Sequence, residues 1–323
     1  MIYNKSLQRR FVSGRFTPLI LLGVSVLMWL VGIFVDRPVN DACIYGLQIG
    51  NVVSRGITFA CFALATAMMS SWYIFDRRIR WFLPLTFFLS SVSLFVHGAV
   101  EPSFSLLLVQ LVLYRLFLCN QGEDNRYGLF TAFMLLGLAA IIVPSCIMLL
   151  FPFVLYVVMM SLVRVKELFA ILLGLLTPYW FLFAIGYIFP DMKLLNGAEA
   201  APWGYIASAM LQMPTLYDTL IIIVELLVAI PFLLFLYNSS SPGKPVLRKR
   251  LRFFALFNLY LILLSLLYNH DFVLYYVWSL PAMGVMLTYI FSLNITRLSR
   301  FYFVALSLLW LAFIPFSLWL RHL

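Results

Sequence analysis

From Phe16 to Leu320 the chain is a succession of apolar runs separated by short polar segments. Runs of this length and frequency constrain the fold more than any other feature. A segment of about 20 apolar residues matches the hydrocarbon thickness of a bilayer. Lipid offers the backbone no hydrogen bonds, so such segments must be helices that satisfy their own peptide groups. The composition agrees. Of the 323 residues, 64% are hydrophobic and 11% are charged, against about 25% charged in a soluble domain. There are too few polar side chains to cover a water-facing surface. The expected class is therefore all-α: a single polytopic transmembrane domain over 1–323.

The runs divide into eleven expected spans: 16–35, 56–75, 81–99, 103–119, 128–143, 145–163, 168–189, 217–237, 252–269, 272–293 and 300–320. The first follows a basic leader with no small-x-small cleavage site before Asp36, so it is read as an uncleaved helix. The region 128–163 is too long for one crossing, and Pro144 and Ser145 divide it into a tight hairpin of two short helices. Charge supports the count independently. With the N-terminus inside, the inner segments hold Lys5, Arg9, Arg10, Arg15, Arg77, Arg78, Arg80, Arg115, Arg126, Arg164 and Lys166. They also hold Lys244, Arg248, Lys249, Arg250, Arg252, Arg297 and Arg300. Eighteen of the 22 basic residues then lie inside, which is the positive-inside pattern and implies N-in, C-out in the inner membrane. A single span over 128–163 would turn the basic 244–252 segment outward.

The net charge of +10 does not indicate nucleic acid, because no folded basic face is interleaved with aromatics. Membrane lipid is the expected partner: the loop Asn238 to Arg252 reads as a flexible connector whose basic end attracts anionic headgroups. Cys43, Cys61, Cys119 and Cys146 form no metal or disulfide pattern and read as buried thiols. No P-loop, HExxH, GxSxG or dinucleotide fingerprint is present, so no cofactor is indicated.

Polar chemistry gathers on the expected outer side. Asp36, Asp41, Glu101, Asp191, Glu199, Asp218 and Asp271 fall there, and His97 and His270 sit near outer acids. Residues 41–55 have helical periodicity, with Asp41, Gln48, Asn51 and Arg55 in one arc. They predict an interfacial helix that holds a carboxylate at the headgroup level. A second outer segment, Pro190 to Leu216, carries the interface-type aromatics Trp203 and Tyr205, and Ala207 to Met213 is expected as a short helix in the interface. Glu225, in LIIIVELLVAIP, is the most demanding single residue. It stands two turns below Asp218 on the same face, about 10–12 Å into its helix. A carboxyl group there must face other helices, be protonated, or reach water or a basic partner. Pro144, Pro178, Pro231, Pro281 and Pro315 interrupt spans, as kinks or as breaks around a transport site.

Two resemblances add to this reading. The stretches EPSFSLLLVQLVLYRLFL, LFTAFMLLGLAAIIVPS and VKELFAILLGLLTPYWFLF, within 101–189, resemble an uncharacterised family of bacterial multi-pass inner-membrane proteins. In the first outer loop, Asp41, Tyr45 and Gly56 resemble the acid, tyrosine and glycine of GT-C-type membrane glycosyltransferases, although Asn40 rather than a second acid precedes Asp41. That resemblance implies a polyprenyl-phosphate-linked donor at the outer face. Asp41 would be the general base or a divalent-metal ligand, and Glu101 the second acid. Arg55 or Arg37 would pair with the donor phosphate. Asp36, Tyr45, His97, Asp218 and Glu225 complete the expected substrate-binding set. Three functions remain open at this point: such a transferase, a transporter or flippase using Glu225, and a non-catalytic subunit of a cell-envelope assembly.

The topology has a direct test. A reporter fused after Arg321 should read as exported, and one inserted near Gly243 as cytoplasmic. Both on one side would contradict the eleven-span arrangement.

Overall fold

The computed structural model describes residues 16–35, 43–44, 47–71, 84–93, 96–119, 124–188, 216–238, 245–293, 301 and 304–306. The helices are α1 (Thr17–Val35), α2 (Ile49–Ser71), α3 (Pro84–Val92), α4 (Val100–Leu118) and α5 (Arg126–Ile142). They continue with α6 (Leu150–Met159), α7 (Val165–Ile188), α8 (Leu216–Asn238), α9 (Pro245–Leu267) and α10 (Phe272–Leu293). Five segments are long and apolar enough to cross a membrane: Val52–Met69, Val100–Leu118, Val165–Gly186, Pro245–Leu267 and Asn269–Phe291. The chain is thus a helical protein with membrane-spanning character.

α10 is the axis of the fold. Almost all of Asn269–Phe291 is buried, and α3, α4, α8 and α9 pack around it. Its sequence, FVLYYVWSLPAMGVMLTYIFSL, is apolar on every side, as a helix enclosed by other helices requires. Gly284 lets α3 approach, since a Cβ there would overlap the side chain of Thr86. Trp278 is fully buried and donates its indole N–H to Ser105 Oγ of α4 at 2.9 Å.

α5 and α7 form a second close pair, made possible by glycine. A Cβ on Gly137 would meet Leu175 O at 2.7 Å, and one on Gly174 would overlap Phe130 O. Contacts climb both helices together: Arg126 lies near Glu167, and Pro178 packs beside Gly137. The two helices therefore run parallel, and the chain must return between them. Pro144 starts a 3-10 turn, Pro144–Leu149, which leads into α6. Together these rise about 27 Å, close to the ~30 Å hydrocarbon thickness. The expected break at Pro144 is present, but the tight hairpin is not. α6 packs against α9, with Phe153 stacked on Phe257 at 5.9 Å, rather than lying along α5.

Two other expectations are corrected. Residues 41–55 do not form a separate interfacial helix. Cys43–Ile44 pairs antiparallel with Leu47–Gln48, and α2 begins at Ile49. Running as one helix from Ile49 to Ser71, the segment satisfies its backbone along its own length, so Arg55 belongs to the outer turns of a long helix. The loop Asn238 to Arg252 is not a connector throughout. α9 starts at Pro245, a residue suited to a first helical turn. Arg250 is buried, and its guanidinium donates to Phe117 O at 2.6 Å, tying the end of α4 to α9. The prolines within α7, α8 and α10 leave those helices continuous. The expected elements at 190–215, the span 300–320 apart from 301 and 304–306, and Pro315 lie outside the described residues.

The glycine contact is testable. Gly174→Ala should lower the thermal stability of the purified protein in detergent, by about 1–3 kcal/mol for an overpacked core site. Gly23→Ala, where a Cβ meets nothing within 4 Å, should leave it unchanged or raise it slightly. Equal effects would contradict the close crossing.

Candidate functional site

Buried hydroxyls in this protein mostly satisfy themselves on their own helix. Ser25 donates to Leu21 O, Thr66 to Phe62 O and Ser90 to Phe87 O, at 2.7 to 2.8 Å. Such back-bonding is the ordinary solution in lipid. The polar groups that reach across to another element are therefore informative, and most of them gather around the N-terminal half of α10.

Glu225 is the deepest of these groups. It sits on the buried side of α8, 3% exposed, and accepts a hydrogen bond from Ser279 Oγ of α10. Ser279 Oγ also lies 2.8 Å from Tyr276 O, so its single hydroxyl proton is shared between the carboxyl group and its own helix. Tyr276 itself turns to α3, where its hydroxyl pairs with Ser93 Oγ at 2.6 Å. Two turns above Glu225, Asp218 accepts from Asn269 Nδ2 at 3.4 Å. Ser145, just after the Pro144 break, donates to Asp271 Oδ2 at 2.5 Å. The other oxygen of Asp271 faces His270 Nδ1 at 3.1 Å. Tyr260 and Tyr275 both reach Met148, at its carbonyl (2.8 Å) and its sulfur (3.4 Å). The corner between α9 and α10 is thus fastened to the start of α8 on one side and to the 144–149 turn on the other.

A second polar group stands at the start of α4. Gly98 has φ +97, a left-handed turn that favours glycine. Its N–H meets Thr58 Oγ1 of α2 at 3.4 Å. His97 is buried and stacks on Trp29 of α1, with ring centroids 3.7 Å apart. Arg55, one turn before Thr58, is also buried. Glu101 is exposed in the first turn of α4, where a negative charge suits the helix dipole.

Of the residues expected from the sequence, Asp218 and Glu225 thus share one stripe of α8, and His97, Arg55 and Glu101 lie at neighbouring ends of α2 and α4. Asp36, Asp41 and Tyr45 lie outside the described residues. No group of three His, Cys, Asp or Glu side chains among the described residues is arranged to hold a metal ion. Sequence reasoning missed Ser279, Ser145, Asn269 and Ser93. Their only signal was a small polar residue in or beside an otherwise apolar run. It also missed Gln110 of α4 and Asn258 of α9, both fully buried with side-chain amides that bond to no other group among the described residues. Gln110 is seven residues from Phe117 and Asn258 eight from Arg250, so both stand about 10–12 Å from the Arg250–Phe117 tie.

No protein-family model, curated protein or solved structure matches this chain.

Proposed function

We propose that this is a multi-pass inner-membrane protein of eleven spans, N-in and C-out, and that it is a transporter or flippase in which Glu225 binds a proton or a cationic substrate. The observation that carries the reading is the carboxyl group of Glu225, buried between α8 and the axial helix and held by Ser279. Magnitudes favour function over packing. A carboxyl group deep in a membrane helix costs about 2.5–3.5 kcal/mol on insertion scales if charged, and if neutral it still gives up its hydrogen bonds to water. One interhelical hydrogen bond in a membrane returns on average about 0.6 kcal/mol. Stability alone is better served by an apolar residue at that position. Pro231 of α8 and Pro281 of α10 lie below the pair within continuous helices, where each removes one backbone N–H. The buried amides of Gln110 and Asn258 supply further polar groups deeper in the bundle.

The test is chemical modification of Glu225. A lipid-soluble carbodiimide should modify it in the wild-type protein and not in Glu225→Gln, whose abundance and elution profile should be unchanged. Na⁺ or K⁺, if carried, should protect the residue; if the proton is carried, modification should instead rise as pH falls and the carboxyl group takes up its proton. Modification that no cation and no pH alters would return Glu225 to a packing role.

A second reading has its own support. Exposed Glu101 opens α4 three residues after Gly98, which meets Thr58 of α2, and buried Arg55 lies one turn before Thr58; an acid and a cation of this kind are what a GT-C-like transferase would use on a lipid-phosphate donor. On that reading Asp41 is the general base, and Asp41→Asn lowers transfer from a polyprenyl-phosphate sugar about 100- to 10,000-fold at unchanged abundance. Normal transfer by this variant would remove Asp41 as the base. If both variants are neutral, the non-catalytic envelope subunit is the reading that stands.

A further inference from the structure

Among the described residues, Glu225 is covered on the side of Asp218 and Asp271. Along α8 the stripe Asp218, Ile222, Glu225 follows the i, i+4, i+7 spacing of one helix face. Ile222, between the two carboxylates, is 4% exposed. On α10 the matching positions are Asp271 at the outer end and Ser279 eight residues on, about 12 Å deeper. Phe272 and Tyr276 lie between them and are buried. Two hydrogen bonds hold the outer ends together: Asn269 to Asp218, and Ser145 to Asp271. Both lie at the α9–α10 corner, above the Glu225–Ser279 pair.

Beneath the pair are the two prolines. Pro281 removes the N–H that would bond Val277 O, and Pro231 removes the one that would bond Leu227 O. Each helix therefore loses a rung within two turns of the buried carboxylate, and proline is where helices bend. The outer segment of α10 is also held along its length by Tyr276–Ser93 and Trp278–Ser105, whereas that of α8 is held at the top by Asn269–Asp218 and has Pro231 below. That is the arrangement of a hinged element with a latch.

We propose that the α9–α10 corner is an outer gate over Glu225. It is shut in this conformation by the Asn269–Asp218 and Ser145–Asp271 hydrogen bonds, and it opens by bending of α8 at Pro231, away from an α10 that Tyr276–Ser93 and Trp278–Ser105 hold in place. This inference rests on the reading of Glu225 as a cation-binding group. The ligand that passes is a proton or a small cation, drawn by Asp218 and Asp271 at the mouth.

The experiment uses the full-length protein in membranes, with Cys43, Cys61, Cys119 and Cys146 replaced by alanine and Ile222→Cys as reporter. A membrane-impermeant methanethiosulfonate is applied to the face that carries Asn269. With both latches intact, labelling should be slow. Ser145→Ala combined with Asn269→Ala should speed it on the order of tenfold or more, the effect of losing two hydrogen bonds that involve carboxylates. Ser145→Thr, which keeps the hydroxyl, should stay slow. Equal rates in the latched and unlatched proteins, or fast labelling with the latches intact, would overturn the gate. A second arm covers the case in which the alanine variants do not fold. Asp218→Cys with Asn269→Cys, in the same background with Ile222 restored, can be closed by oxidation. Cation protection of Glu225 from carbodiimide should then vanish when oxidised and return on reduction. Protection that ignores the redox state would contradict the gate. If cations protect Glu225 but latch changes leave the rates equal, the gate fails and the cation site stands. If the latch controls the rate but no cation protects Glu225, the gate stands and the cation reading fails.

Discussion

In hydrocarbon a polar group has no solvent to fall back on, and the arrangement of this protein follows from how each one is satisfied. Backbone groups are satisfied by forming helices, and most buried serine and threonine hydroxyls by bonding one turn back on their own helix. What remains is a small set of side chains that must be met by another element. They converge on α10, whose Tyr276, Trp278 and Ser279 bond to α3, α4 and α8. The hydrophobic effect cannot choose among helix partners in lipid, because every partner is as apolar as the next. Close packing at Gly137, Gly174 and Gly284 and these cross-helix hydrogen bonds supply the selection instead.

The distribution of these contacts divides the protein into two ends with different roles. At the end expected to face inward, Arg250 is spent on structure: it ties the last turn of α4 to α9 and lies over the Phe117 ring. Near it, Asp124 accepts from the Arg126 side chain, which holds its carboxyl down to about 2. It therefore stays ionised through the physiological range at the mouth of α5. At the opposite end the acids are arranged around an interior group. Asp218 and Asp271 stand above Glu225, and each accepts a hydrogen bond from a neighbouring segment that is not part of its own helix. One end is thus tied by a buried cation to backbone, and the other by carboxylates to side chains of neighbouring segments.

Much of this was legible in the chain. Apolar length placed most of the described helices within a few residues, and 272–293 coincides with α10. Glu225 stood out because a carboxyl group in an apolar run has few inexpensive explanations. The failures have physical reasons. Periodicity could not separate an interfacial helix at 41–55 from a pair of short strands at 43–48 that runs into a long helix at Ile49, because the polar arc it rested on spans both. Charge alone assigned Arg250 to lipid, since its partner, Phe117 O, is a backbone group of a helix 133 residues away. A one-letter pattern carries no information about such a pairing. The same holds for Ser279 and Ser145: serine is common in membrane helices, and only the fold shows which serines face a carboxylate.

The central claim is that Glu225 of α8 rests against Ser279 of the axial helix inside the bundle. Cysteine cross-linking tests it without reference to any substrate. Glu225→Cys and Ser279→Cys are placed in the cysteine-free background, with a protease site inserted near Gly243 between them. After mild oxidation in the membrane and cleavage, the two fragments should run together until a reductant separates them, whereas Glu225→Cys paired with Cys at Thr288, about 13 Å further along α10, should not link. Fragments that separate without reductant would contradict the α8–α10 contact on which the account rests.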